Sequence, residues 1–291
     1  MSLGQVAARL QEHQLIEHDL WFRVIGKLTG ADRKIQPGEY EFHAGLTPSE
    51  ILSRLEEGKV YYHSVTIPEG YTVRQIATVL SEKGLVDQEK FIQLTHDPIY
   101  IKSLGLAVPR LEGYLFPDTY FFPRSTPEEE IIEAFVHRLW KAFPPELLKR
   151  AKEVKMSVQE VLTLASVVEK ETGLSKERSI VAGVFHNRLN QNIPLQSDPT
   201  VIYAIEDFDG NIRKRDLSID SPYNTYRVRG LPPGPIANPG EAAIRAVLYP
   251  TPSDYVYFVS RNDGSHQFSV TLAEHNRAVE KYQKKRHKQA S

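Results

Sequence analysis

The chain of 291 residues has no cysteine. That excludes disulfides, thiolate zinc sites and a cysteine nucleophile. It has no excess of charge of either sign: 36 Lys and Arg stand against 37 Asp and Glu, for a net charge of −1. The electrostatic footprint of a nucleic-acid binder is therefore missing. No run approaches the ~20 apolar residues of a membrane span, and no signal peptide is visible. Met1-Ser2-Leu3 leads straight into a helical pattern, as an added start on a truncated chain would. No HExxH, P-loop, GxGxxG or GxSxG occurs. The ten His are scattered without metal-ligand spacing.

What is present has the balance of a soluble globular protein, with 41% hydrophobic and 25% charged residues. The most informative stretch is VLTLASVVEKETG (161–173). A helix apolar on nearly every face is a buried helix. Ser157 and Glu160 mark its start as a capping box, and Gly173 suits the position just past its end. Glu169 and Glu171 close the run. A carboxylate there is partly desolvated, which favours its protonated form and suits a general acid. Spacing does not choose between the two. Glu169 lies above Leu162, Ala165 and Ser166, and Glu171 above Leu164, Val167 and Val168.

An internal repeat occupies the first hundred residues. QVAARLQEHQLIEHDLWF (5–22) aligns without a gap on QIATVLSEKGLVDQEKFI (75–92). Each copy predicts an amphipathic helix followed by a short second helix. VYYHSVTIPEGYT (60–72) supplies a strand before the second copy, with Thr72 as helix cap. The first copy lacks that strand. Residues 35–58 predict a turn at Pro37-Gly38, a strand, and a helix begun by Thr47-Pro48. The expected fold class is α+β. Small LysM-like strand–helix–helix units (1–105) precede a mixed catalytic domain (106–291) that ends in a β-hairpin turning at Asp263-Gly264. LysM-type units bind glycans containing N-acetylglucosamine; they also serve as plain spacers.

Further along, Ser175 and Arg178 open a helix. Asp198 and Asn238 are expected to cap helices, and Thr271 with Glu274 caps the last one. The basic run Lys284-Lys285-Arg286-His287-Lys288 suits a helix carboxyl end.

Six segments then occur in one order: LEGYLFPDTYFF, LASVVEKETG, VFHNRL, PLQSDPTVIYA, SPYNTYRVRGLPPGPIANPG and a terminal hairpin with SHQFSVT. Over about residues 60–285 the chain resembles the YceG-like family of endolytic murein transglycosylases. The resemblance implies an N-terminal helix in the inner membrane, a catalytic part in the periplasm, and peptidoglycan strands as substrate. It implies cleavage of the β-1,4 bond after N-acetylmuramic acid with a 1,6-anhydro product that ends strand elongation. It also implies cell-wall synthases as partners, and no metal or organic cofactor. The first Glu of the family's V-E-K-E-T motif, its catalytic residue, falls on Glu169.

The residues suit such chemistry. A glycosidic oxygen leaves poorly unless protonated. A hydrolase uses two carboxylates, ~5 Å apart for retention or ~6.5–9.5 Å for inversion. A transglycosylase needs one, because the sugar's own 6-hydroxyl attacks with high effective molarity. Glu171 is then expected to orient a neighbour or to pair with Lys176 or Arg178. Expected substrate contacts are Glu112, Gln196, Ser197, Asp198, Thr200, Tyr223, Asn224, Thr225 and Tyr226, with structural roles as the competing reading for each. The proline-stiffened segment 231–235 is expected to wall a groove, and His266 is a structural histidine or a minor site residue. The alternatives are a muramidase using Glu169 with Glu112 or Asp198, and a glycan-binding scaffold without activity.

Overall fold

The structure, a computed structural model, describes residues 1–284, so most of the basic terminal run lies outside the described residues. Thirteen α-helices and four short strands are formed there. The chain begins with α1 (Leu3–Glu12), α2 (Asp19–Leu28) and α3 (Pro48–Glu57), then β1 (His63–Thr66), α4 (Val73–Glu82), α5 (Gln88–Leu94), α6 (Pro98–Ser103) and β2 (Thr119–Phe122). The rest is α7 (Glu128–Ala142), α8 (Pro145–Glu153), α9 (Val158–Glu171), α10 (Ser175–Asn190), α11 (Asp198–Ala204), α12 (Glu241–Leu248), β3 (Tyr257–Ser260), β4 (His266–Ser269) and α13 (Leu272–Val279). The α+β class is as the pattern indicates.

Local signals act where the residue pattern puts them. Thr47, Thr72, Ser157 and Thr271 each accept from the backbone three residues on, and the residue there reaches back to complete a capping box. β3 and β4 form the terminal hairpin, with Tyr257 opposite Ser269 and Ser260 opposite His266. Gly173 follows α9 without a left-handed φ, since Thr172 is already extended. The strand expected within 35–58 does not form. There Pro37 lacks a donor, and the long-range backbone bonds of residues 36–39, Gln36 N to Leu55 O at 3.1 Å and Tyr61 N to Glu39 O at 2.7 Å, go to different segments and build no ladder.

Two hydrophobic clusters organise the molecule. Val6 to Leu55 contribute to the smaller one. The larger runs from Val65 to Leu248 and spans the expected division at 105/106. The reason is the ladder β1–β2, which pairs Val65 with Tyr120 and so ties the second repeat to the remainder of the chain. By core, the division falls between Leu55 and Val65. In the larger cluster α9 packs on α10 and α12, and all eight residues from Val161 to Val168 are buried. The loop before α12 is drawn onto α9 where Ser166 Oγ accepts from Ile236 N at 3.0 Å. Gly113 lets that loop approach: a side chain there would overlap the ring of Pro235.

Candidate active site

The last turn of α9 sends its two glutamates to different sides, as a separation of two residues (~200° of helix) requires. Glu169 turns toward the start of α10, the amino end of α12 and the β1–α4 connection. Its Oε1 accepts from Arg178 Nη2 at 2.8 Å and its Oε2 from Gly240 N at 3.1 Å. Its side chain is 5% exposed, and that of Arg178 is 12% exposed. Burial raises its pKa against the opposing pull of the Gly240 N–H and the Arg178 charge, and the Glu69 carboxylate adds to the rise. The ion pair expected between Arg178 and Glu171 therefore belongs to Glu169.

Glu171 turns the other way. Ser197 Oγ donates to its Oε1, and burial pushes the carboxyl up to about 7, with Asp198 adding to the effect. Ser197 N donates to Thr225 Oγ1 at 3.0 Å, and the Thr200 and Thr225 hydroxyls lie 2.8 Å apart. Asn224 donates to the carbonyls of Leu217 and Ile219 at 3.1 and 2.8 Å. Ser197, Thr200, Asn224 and Thr225 are all buried. Their polar groups are paired within the protein and hold the shape of the loop. Gln196 and Asp198 are exposed, and Tyr223 and Tyr226 are half-buried. Asp198 does not cap α11, whose cap position is Ser197; it accepts from Tyr226 Oη at 2.6 Å.

Glu112 makes a third group. It is buried, and it accepts from Val73 N at 3.0 Å, Tyr203 Oη at 3.2 Å and Asn238 Nδ2 at 3.1 Å. Burial raises it to about 7 despite these donors. Asn238 is not a helix cap, since Gly240 holds that position before α12. It is a staple. Its Oδ1 accepts from Leu115 N at 2.8 Å and its Nδ2 donates to Tyr71 O at 2.9 Å. Its backbone exchanges bonds with Gly70 and Tyr71, both at 2.8 Å. Glu112 thus anchors the strap that sets Gly70 and Gly240 beside Glu169, and does so from behind it. His266 is structural: its Nδ1 lies 2.8 Å from Glu177 Oε2, fastening the hairpin to α10.

The expected candidates accordingly fall into three groups rather than one. Arg178, Glu69 and Gly240, which surround Glu169, carry no sequence signal that marks them as its partners. Only a glycine ahead of Glu241 and a PEG turn ahead of Thr72 hint at them. Of the segment 231–235, Pro233, Gly234 and Pro235 line a cavity of about 150 Å³ together with Arg110, Tyr114 and Tyr223. Larger concavities lie against α13 (about 470 Å³) and between α1 and residues 35–42 (about 800 Å³). Glu169 lines none of these three, and the Glu69 side chain that shares Arg178 with it is 45% exposed. Among the described residues no group of three or more His, Asp or Glu is placed to hold a metal.

Fold and site together define an α+β protein built around one buried, ion-paired glutamate at the end of a buried helix. The sequence profile of the YceG-like family matches residues 1–281, and the chain belongs to that family. It is 35% identical over 297 residues to the endolytic murein transglycosylase of Bacillus subtilis, covering 97% of this chain and 82% of that protein. A Streptococcus pneumoniae protein of the same name is 31% identical over 310 residues, covering 96% of this chain and 56% of its own length. The crystal structure of a YceG-like protein from Listeria monocytogenes matches with a TM-score of 0.69 at 33% identity, over 95% of each chain.

Proposed function

We propose that this chain is an endolytic transglycosylase that cleaves peptidoglycan strands, with Glu169 as acid and then base. One observation carries the reading: a carboxyl 5% exposed and raised by burial, set at the tip of a helix buried from Val161 to Val168. Protonated, Glu169 gives its proton to the glycosidic oxygen between N-acetylmuramic acid and N-acetylglucosamine. As carboxylate it takes the proton of the 6-hydroxyl while that oxygen closes on the anomeric carbon. The product carries a 1,6-anhydro end. Gly240 N–H and Arg178 stabilise the charge that appears on Glu169 between the two steps. Gln196, Asp198, Tyr223 and Tyr226 remain as sugar contacts on the exposed side of the neighbouring loops. The names of the Bacillus and Streptococcus relatives support the substrate class.

Peptidoglycan lies outside the cytoplasmic membrane, so the proposed place of action is the outer face of that membrane, beside the synthases whose strands would be cut. No helix among the described residues is long and apolar enough to cross a membrane.

Glu169→Gln keeps the shape and removes the proton. It is expected to lower strand cleavage by roughly 10²–10⁴-fold with an unchanged melting temperature. Mass analysis of the cut strands should show ends lighter by one water than hydrolysed ends. A fully active variant removes Glu169 from the mechanism. The competing muramidase reading has Glu69 as its available second carboxylate, because Glu112 and Asp198 are bonded elsewhere. Reducing ends in the product would decide for it.

A further inference from the structure

Both oxygens of Glu169 are already taken, and the side chain that takes one of them has a second carboxylate within reach. Arg178 Nη2 donates to Glu169 Oε1 at 2.8 Å and to Glu69 Oε2 at 3.3 Å. Two bonds to one nitrogen keep those oxygens within about 6 Å of each other. The guanidinium is a planar fork that pairs best through two parallel bonds. Here a single nitrogen serves both acids, and the buried Arg178 Nε has no partner among the described residues. Arg178 is thus half-seated on each carboxylate and fully seated on neither.

Gly240 gives a second, independent sign. Its φ of −78° and ψ of 170° are open to any L-residue, so the backbone does not demand glycine. A Cβ at this position would overlap the Glu69 carboxyl group. The missing side chain is the space in which Glu69 rests, while the N–H of the same residue holds Glu169. One residue therefore places both acids.

We propose that Glu69 is a positioning carboxylate of the reaction centre: it takes up the Arg178 guanidinium whenever Glu169 holds its proton. The proposal rests on the reading of Glu169 as proton donor. A buried guanidinium left without an anion is strongly unfavourable. Without Glu69, Arg178 would hold Glu169 in its charged form and against its task. With Glu69 beside it, Arg178 keeps a counter-ion in both protonation states. The charged and polar groups facing Glu169 are Arg178 from α10, Lys170 from α9, the amino end of α12 at Gly240, and Glu69 from the β1–α4 connection. Glu69 alone among them is negative. It forms and breaks no covalent bond; the proton passes from Glu169 to the leaving oxygen and returns to Glu169 from the 6-hydroxyl.

The test is the pH profile of kcat/KM on purified glycan strands for the whole chain and for Glu69→Gln, Gly240→Ala and Glu169→Gln. A general acid works only while protonated, so activity falls as pH rises through its pKa. Glu69→Gln should move that alkaline limb to lower pH. Its rate should fall severalfold at mildly alkaline pH and stay near wild type on the acid side. Gly240→Ala, which displaces Glu69 without changing any charge, should move the limb the same way; if that variant does not fold, Glu69→Gln decides. A folded Glu69→Gln whose alkaline limb stays in place, or whose loss is the same at every pH, overturns the role of Glu69 while an inactive Glu169→Gln leaves the acid standing. An active Glu169→Gln overturns the underlying reading instead.

Discussion

In the first copy of the repeat Val6, Ala7 and Leu10 pack with Phe22; in the second Ile76, Ala77 and Leu80 pack with Phe91. The gapless alignment, however, sets Trp21 and not Phe22 opposite Phe91, and Trp21 is 65% exposed while Phe91 is fully buried. The helix starts account for the slip. Asp87 caps α5 by accepting from Lys90 N at 2.8 Å, so α5 begins at Gln88. The equivalent Glu17 makes no such cap, and α2 begins one residue later in register, at Asp19 behind His18. One residue is ~100° of helix rotation, which brings the next side chain inward. The copies also differ in what encloses them. β1 and β2 bind the second into the main core, and its β1–α4 connection carries Glu69 and Gly70 to Glu169. The first forms its own small cluster and leaves Leu20, Trp21 and Leu28 exposed. One sequence pattern thus yields a unit with its own small core in one place and, in the other, a part of the main core that reaches Glu169.

The sharpest way to break this comparison is a pair of core truncations. Phe22→Ala and Phe91→Ala each remove a fully buried ring, and each should destabilise its cluster by about 3–5 kcal/mol. Only Phe91→Ala should also impair strand cleavage, because its cluster carries the strap beside Glu169. Equal loss of cleavage in both would show that the copies are not functionally distinct. Thermal melts and activity at a temperature where both variants stay folded make the measurement.

A smaller effect separates the copies by pH. The first buries no charged side chain, whereas the second is seamed to the rest by Glu112, raised from 4.5 to about 7. A carboxyl raised in the fold binds its proton more tightly there than in the unfolded chain. Its contribution to stability is complete below about pH 4.5 and is lost as pH rises through about 7. Glu112→Gln, whose amide can keep the bonds to Val73 and Asn238, should flatten the decline of melting temperature between those values. The ceiling of the effect is about 3 kcal/mol. A variant with an unchanged slope would remove Glu112 as its source.

The smallest expected effect is at Trp21. Trp21→Ala should change stability by no more than about 0.5 kcal/mol, as surface substitutions do, in spite of the alignment with Phe91. A loss of several kcal/mol at Trp21 would mean that the ring is covered and the slipped register is wrong.

Much of the scaffold was legible because its signals are local. The capping boxes at Thr72, Ser157 and Thr271, the buried run of α9 and the terminal hairpin each depend on residues within a few positions of one another. The strand expected in 35–58 failed at Pro37, which brings no donor, whereas the capping roles of Asp198 and Asn238 failed where a distant partner outcompeted the local one. Tyr226 holds Asp198, and Leu115, Tyr71 and Glu112 hold Asn238. The same cause removed Ser197, Thr200, Asn224 and Thr225 from the exposed side. Polar residues in a loop suit a sugar equally well whether they face it or each other, and sequence does not say which.

By itself the sequence determined the class of fold, the buried helix 158–171, and two glutamates at its end with equal claims. The tertiary structure decided what each glutamate faces. Arg178 lies nine residues beyond Glu169, but Gly240 comes to it from 71 residues away and Glu69 to their shared arginine from 109. Contacts of that range arise from how packed elements meet, not from any periodicity along the chain. They set the charge, the burial and the hydrogen bonds that distinguish one carboxyl group from another.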